Sequence, residues 1–242
     1  MYFDSTYILV IIGLAITLWA QAKVKGSFSK YSQVRSACNL TGRQVAERIL
    51  KSNGIYDVTI QQVSGSLTDY YDPANKVVCL SDDIYSSTSV AALGVAAHEC
   101  GHAIQDAVGY GPLRFRTSFV PIANFGSKLA WPVLLVGLLL GGLETSTRAM
   151  GNPIGSTLIE VGIILFSLSV VFQLITLPVE FNASSRALSQ LEELSILSTD
   201  ENKDAKSVLS AAALTYVAAA ASGLLSFLRI LLLFGGNRNR RD

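Results

Sequence analysis

The chain reads as a mainly α-helical integral membrane protein with one small antiparallel sheet and three to four hydrophobic helices. Three observations predict this class. Apolar runs of membrane-spanning length cover residues 5–22, 119–143 and 154–177, and a fourth apolar stretch covers 208–234. Only 15% of the residues are charged, and mean hydropathy is +0.41, values wrong for an ordinary soluble domain. Between the first two runs lies a segment of soluble composition, and its last helix carries His98-Glu99-Cys100-Gly101-His102.

The first run has two readings. Ala20-Gln21-Ala22 resembles a signal-peptide cleavage site. Against cleavage, Asp4 precedes the run while Lys23, Lys25, Lys30 and Arg35 follow it, the reverse of a signal peptide's charge order. Residues 1–22 are therefore expected to be a retained anchor, and the positive-inside rule places the next segment in the cytoplasm.

Residues 23–118 form the expected cytoplasmic domain. Thr41 is an N-cap and Gly54 a stop for an amphipathic helix that turns Val45, Ala46, Ile49 and Leu50 to a core. Residues 58–63 have strand composition. Two further strands, 67–71 and 76–80, flank Asp72-Pro73-Ala74-Asn75, a strong turn signal, so the sheet is expected to be antiparallel. Strand 76–80 is either structural or an edge on which an extended peptide could pair.

The helix that follows holds the only two histidines of the protein. Four residues apart, His98 and His102 project from one face and can hold one metal ion. Glu99 is adjacent and can act on water at such an ion without ligating it, as the general base of a zinc peptidase does. The contrary reading is a buried, hydrogen-bonded histidine pair. Cys100 points to the opposite face and is read as packing. It, Cys38 and Cys79 lack paired spacing, which fits reduced thiols rather than a disulfide framework.

Residues 119–177 form the expected transmembrane hairpin, in which Pro121 and Pro132 can kink the first helix. Lys128 either snorkels or marks a span that begins near Leu129, and Glu160 is read as an interfacial carboxylate, against a functional intramembrane one. Gly137, Gly141, Gly142 and Gly162 allow close helix packing. Two crossings return the chain to its starting side, where Pro178 suits the start of a further helix, 178–207, with Glu180 in its first turn. This topology favours Glu180 as a third ligand, against plain stabilisation of a helix N-terminus. Asp106 is the rival, but three ligands from one straight helix surround a tetrahedral ion poorly. Residues 208–242 form an apolar helical segment and a basic tail. A full crossing would carry Arg238, Arg240 and Arg241 outside, so a partial or re-entrant segment is preferred, with Arg229 snorkelling.

The net charge of +1 decides little. No basic run interleaved with aromatics suggests a nucleic-acid partner. The few intramembrane charges give a transporter or channel little support.

Three blocks carry a resemblance: residues 95–106 around the histidines, 177–184 around Glu180, and Ala211-Ala212-Ala213-Leu214-Thr215-Tyr216-Val217-Ala218. In their order, and with a hairpin between, the chain resembles the YugP-like family of bacterial membrane zinc metallopeptidases. More distantly it looks like the HtpX-type membrane peptidases. The resemblance implies a glutamate-type zincin with one zinc ion per chain, held by His98, His102 and Glu180, and Glu99 as catalytic base. It also implies Tyr216 or Arg186 as oxyanion stabiliser, and an acidic residue where this chain has Asn182. By the same resemblance the protein is a multi-pass bacterial cell-membrane metalloendopeptidase facing the cytoplasm, cleaving membrane or membrane-proximal proteins. A catalytically silent scaffold or chaperone-like protein on the same fold is the alternative.

Overall fold

A computed structural model describes residues 4–141 and 153–234. The expected loop at 144–153, Gly142, and the arginines of the tail thus lie outside the described residues, apart from Pro153. The chain divides into two compact units: Met1–Leu18, Phe115–Ile175 and Val217–Asp242 form one, and Trp19–Arg114 with Thr176–Tyr216 form the other.

The elements are α1 (Tyr7–Tyr31), α2 (Gly42–Ser52), β1 (Thr59–Val63), β2 (Tyr70–Asp72), β3 (Val77–Ser81) and α3 (Asp82–Tyr85). They continue with α4 (Val90–Ala107), α5 (Gly111–Gly141), α6 (Pro153–Glu193) and α7 (Thr199–Phe234). Among the described residues, α1, α5, α6 and α7 are long and apolar enough to cross a membrane by length and composition.

In the first unit these helices pack through small residues. A Cβ on Gly126 would lie 2.7 Å from the Leu165 carbonyl oxygen, and one on Gly162 would lie 2.6 Å from Leu134. Large apolar side chains such as Leu135, Leu139 and Ile164 face outward, as lipid contact requires. Arg229 pairs with Asp4 at 3.6 Å and lies over the Tyr7 ring.

In the second unit, α4 is the buried centre. Its Leu93, Ala96, Ala97 and Cys100 join Val45 and Ile49 of α2, Leu80 of β3, Leu191 of α6 and Leu209 of α7 in one cluster. The amphipathic helix forms as its spacing predicts. Thr41 caps it reciprocally with Gln44, and the core face holds Val45, Ala46, Ile49 and Leu50. Gly109 (φ +67) ends α4, and the Tyr110 N–H returns to the Gln105 carbonyl.

The sheet departs from expectation. It is mixed rather than antiparallel, in the order β1-β3-β2. The Asp72 turn does make β2 and β3 antiparallel, with Tyr71 opposite Val78. From β1, however, the chain crosses to the far edge before turning, so β1 lies parallel to β3. Nothing in strand composition encodes which edge is taken. β3 is therefore central, paired to β1 along its whole length and to β2 at Val77–Cys79, and buried throughout, so it is a structural strand rather than a free edge.

Two further expectations are corrected. Pro178 does not begin a helix but lies within α6, so Glu180 is not near a helix N-terminus and dipole stabilisation does not explain it. A missing N–H at Pro178 costs one intrahelical bond, which a helix packed on its neighbours tolerates. Likewise 208–234 belongs to one uninterrupted helix from Thr199, with no reversal that would make it re-entrant. Ser198 and Glu201 cap that helix reciprocally.

The helices α4 and α6 meet closely in the second unit, where a Cβ on Gly101 would come 2.4 Å from the Ala183 carbonyl oxygen. A backbone atom cannot yield as a side chain can. Gly101→Ala is expected to destabilise this unit by about 1–3 kcal/mol, read as a lower thermal-unfolding midpoint. Gly94→Ala, on the same helix, meets Ala205 at ordinary contact distance, its Cβ nearest at 3.5 Å. It should stabilise by up to about 1 kcal/mol through helix propensity.

Candidate metal centre

Helix periodicity puts His98, His102 and Gln105 of α4 on one face and Glu180 and Ser184 of α6 on the facing one. The ligand-capable atoms of His98, His102 and Glu180 all lie within 4.8 Å of one another. Glu180 Oε2 is 3.3 Å from His98 Nε2 and 3.5 Å from His102 Nε2. Two ligands about 2.1 Å from a tetrahedral ion stand about 3.4 Å apart. Both carboxylate-to-imidazole spacings therefore fit zinc.

The hydrogen bonds behind the imidazoles sharpen this. Gln105 is wholly buried, and its amide Nε2 donates to the Val179 carbonyl at 2.8 Å and to Asn182 Oδ1 at 3.0 Å. A backbone carbonyl only accepts, so the amide orientation is settled, and Gln105 Oε1 faces His102 Nδ1 at 3.0 Å. His102 must therefore carry its proton on Nδ1. In the neutral ring, Nε2 then presents a lone pair to the Glu180 carboxylate. Two lone pairs so placed repel unless a cation, either a proton or a metal ion, lies between them. Burial works to lower the His102 pKa, yet the Glu180 carboxylate and Glu99 outweigh it and hold the imidazole above its ordinary range. On the other ring, Ser184 Oγ meets His98 Nδ1 at 3.1 Å.

Glu99 is buried beside the triad and lines the same cavity. Burial pushes its carboxyl upward, while His98 and His102 pull it down and Asp69 and Glu180 add to the rise. The net direction is up, because loss of solvation outweighs the two imidazoles.

The other expected residues separate. Tyr216 lines the cavity. Arg186 is not part of the lining. Its Nε donates to Asn182 Oδ1 at 2.8 Å, and its guanidinium lies 6.0 Å from the Tyr110 ring centroid. Asn182 thus accepts from both Arg186 and Gln105 through its amide oxygen. Asp106 turns away from the triad and accepts from Tyr71 at 2.9 Å and Lys76 at 2.6 Å. Cys100 is fully buried with its thiol toward the Ala46 carbonyl, a packing position. Gln105 and Ser184 were missed by sequence reasoning. Their signals were available in the spacing, three residues beyond His102 and four beyond Glu180.

Two imidazoles and a carboxylate converging from two helices, with four helices of membrane-spanning length among the described residues, define a membrane protein with a candidate metal centre. Residues 6–235 match the family described as "Putative neutral zinc metallopeptidase", and the chain belongs to it. It is similar to a Bacillus subtilis (strain 168) protein named "Putative membrane protease YugP", 46% identical over 231 residues, covering 96% of this chain and 97% of that protein. No solved structure matches the chain.

Gln105→Leu keeps the volume but leaves the His102 Nδ1–H and the Val179 carbonyl without their partner. A loss of about 1–3 kcal/mol is expected, seen as a lower urea midpoint with unchanged slope. Gln105→Glu should lose a similar amount, since a carboxylate cannot donate to Val179.

Proposed function

We propose that the protein is a membrane zinc metalloendopeptidase of the glutamate-type zincin class. The observation that carries this is the lone pair of His102 Nε2 directed at Glu180 Oε2, an arrangement that calls for a cation. His98, His102 and Glu180 would hold the ion. When bound, zinc supplies Lewis-acid chemistry, polarising a carbonyl and making water a nucleophile at neutral pH. Gln105 keeps the His102 tautomer and ring orientation fixed, and Ser184 holds the orientation of the His98 ring. Glu99 takes the proton of the attacking water and delivers it to the leaving amine. Of the two oxyanion candidates we assign the role to Tyr216, which lines the cavity, rather than to Arg186, which does not and whose Nε is engaged by Asn182.

The lysines after the first apolar run, Lys23, Lys25 and Lys30, support a multi-pass bacterial cell-membrane protein with its site on the cytoplasmic side. A peptidase tethered by four spans would meet membrane or membrane-proximal proteins as substrates. The rival reading, a silent scaffold, has to explain an intact base beside an intact ligand set.

Metal analysis of protein purified in detergent is expected to give one zinc per chain, falling to a small fraction in His98→Ala and Glu180→Ala. Glu99→Gln should keep the metal and lower peptide cleavage by about 10²–10⁴-fold. Cleavage that survives both Glu99→Gln and Glu99→Ala rejects the assigned base. Metal retained without any cleavage by the wild type points to the scaffold.

Protons and zinc compete for the Nε2 lone pairs. Because the His102 pKa is raised, its imidazole is still protonated at a pH where an ordinary histidine is neutral. Zinc affinity should therefore fall on acidification and begin falling above the ordinary histidine range. Competition titrations with a chromophoric chelator at a series of pH values measure this.

A further inference from the structure

The cavity beside Glu99 has a volume of about 190 Å³. Away from the triad its wall is mostly apolar, made by Val24, Leu67, Val95, Leu209, Ala212 and Ala213, with Thr215 and Tyr216 beside them. An apolar cavity of about 150 Å³ holds a benzene ring, so this one has room for an isobutyl or benzyl group. No lysine or arginine lines it. Its one acidic side chain outside the catalytic group and ligands is Asp69, whose carboxylate already accepts from the Ser81 N–H at 2.7 Å and the Ser81 hydroxyl at 3.0 Å.

Leu67 stands out on this wall. It is 42% exposed and has φ +55, a left-handed conformation that costs a leucine about 1–2 kcal/mol. The loop that carries it is pinned: Asp82 accepts from the Gly65 N–H and the Gln62 amide. An apolar side chain is thus held half in water, in a strained backbone, on the rim of the candidate site. Core packing does not explain that position, and contact with an incoming apolar group does.

We propose that this cavity is a subsite that seats one leucine- or phenylalanine-sized side chain of the substrate beside the scissile bond. Leu67 forms its outer wall, and the small side chains of Ala212 and Ala213 leave the space. The placement relative to a scissile bond rests on the peptidase reading; the side-chain preference does not.

The test is equilibrium binding of fluorescent, end-blocked peptides to the full chain in detergent, carrying Glu99→Gln so that binding is separated from turnover. The peptides differ only at one of two central residues, which is glycine, leucine, phenylalanine, aspartate or lysine. At one position, leucine or phenylalanine should bind at least about tenfold more tightly than glycine, with aspartate no tighter than glycine. Ala212→Phe fills the space and should remove that preference, which also controls for partition into the micelle. Leu67→Gly, which relieves the positive φ and so keeps the fold, should narrow the leucine-to-glycine ratio at least about threefold. Equal affinity for glycine and leucine, tightest binding of lysine, no binding of any peptide, or a ratio unmoved in both variants would overturn the proposal. If leucine preference is found but zinc-loaded wild type cleaves none of the peptides, the peptidase reading fails and the subsite stands.

Discussion

A single side-chain amide ties the two halves of the candidate centre together. Gln105 reaches from the histidine helix to the Val179 carbonyl one residue before Glu180, and it grips His102 from behind with its other end. Removing Gly101 from its contact with Ala183 would separate the same two helices by the thickness of a methyl group. The glycine sets how near the carboxylate comes; the amide sets which nitrogen of the imidazole meets it. Both conditions must hold for three donors to converge on one point.

Burial makes that convergence demanding. Glu99, His102 and Glu180 are all nearly inaccessible, and buried charges are tolerated only when paired and hydrogen-bonded. The unit supplies partners on the far side of each ring and an apolar shell from four helices and a strand. A site of this kind is held rigid by its surroundings rather than assembled by the ligand, which favours geometry reproducible to a few tenths of an ångström.

The histidine face of α4 and the cap, stop and core face of α2 were legible because helical spacing is a local property. So was the turn at Asp72, whose carboxylate takes up the Ala74 and Asn75 N–H groups. Glu180 was reachable by topology, although the reason offered for its helix was wrong, since α6 runs through Pro178 without restarting. What stayed hidden was non-local. Strand order depends on which edge the chain crosses to, and the strain at Leu67 depends on a loop pinned by Asp82. Neither leaves a periodic trace in the sequence. The direction in which Asp106 points was equally invisible, being decided by Tyr71 and Lys76 from the sheet.

The chain contains no histidine apart from the pair in α4. Any signal selective for imidazole, whether ring-carbon resonances in a magnetic resonance spectrum or a ring-directed chemical label, therefore arises from the centre with no background from elsewhere. Nitrogen shifts can read the tautomer at His102 without assignment of the rest of a detergent-bound protein. A polyhistidine purification tag would forfeit that silence, so the untagged chain is the more informative molecule.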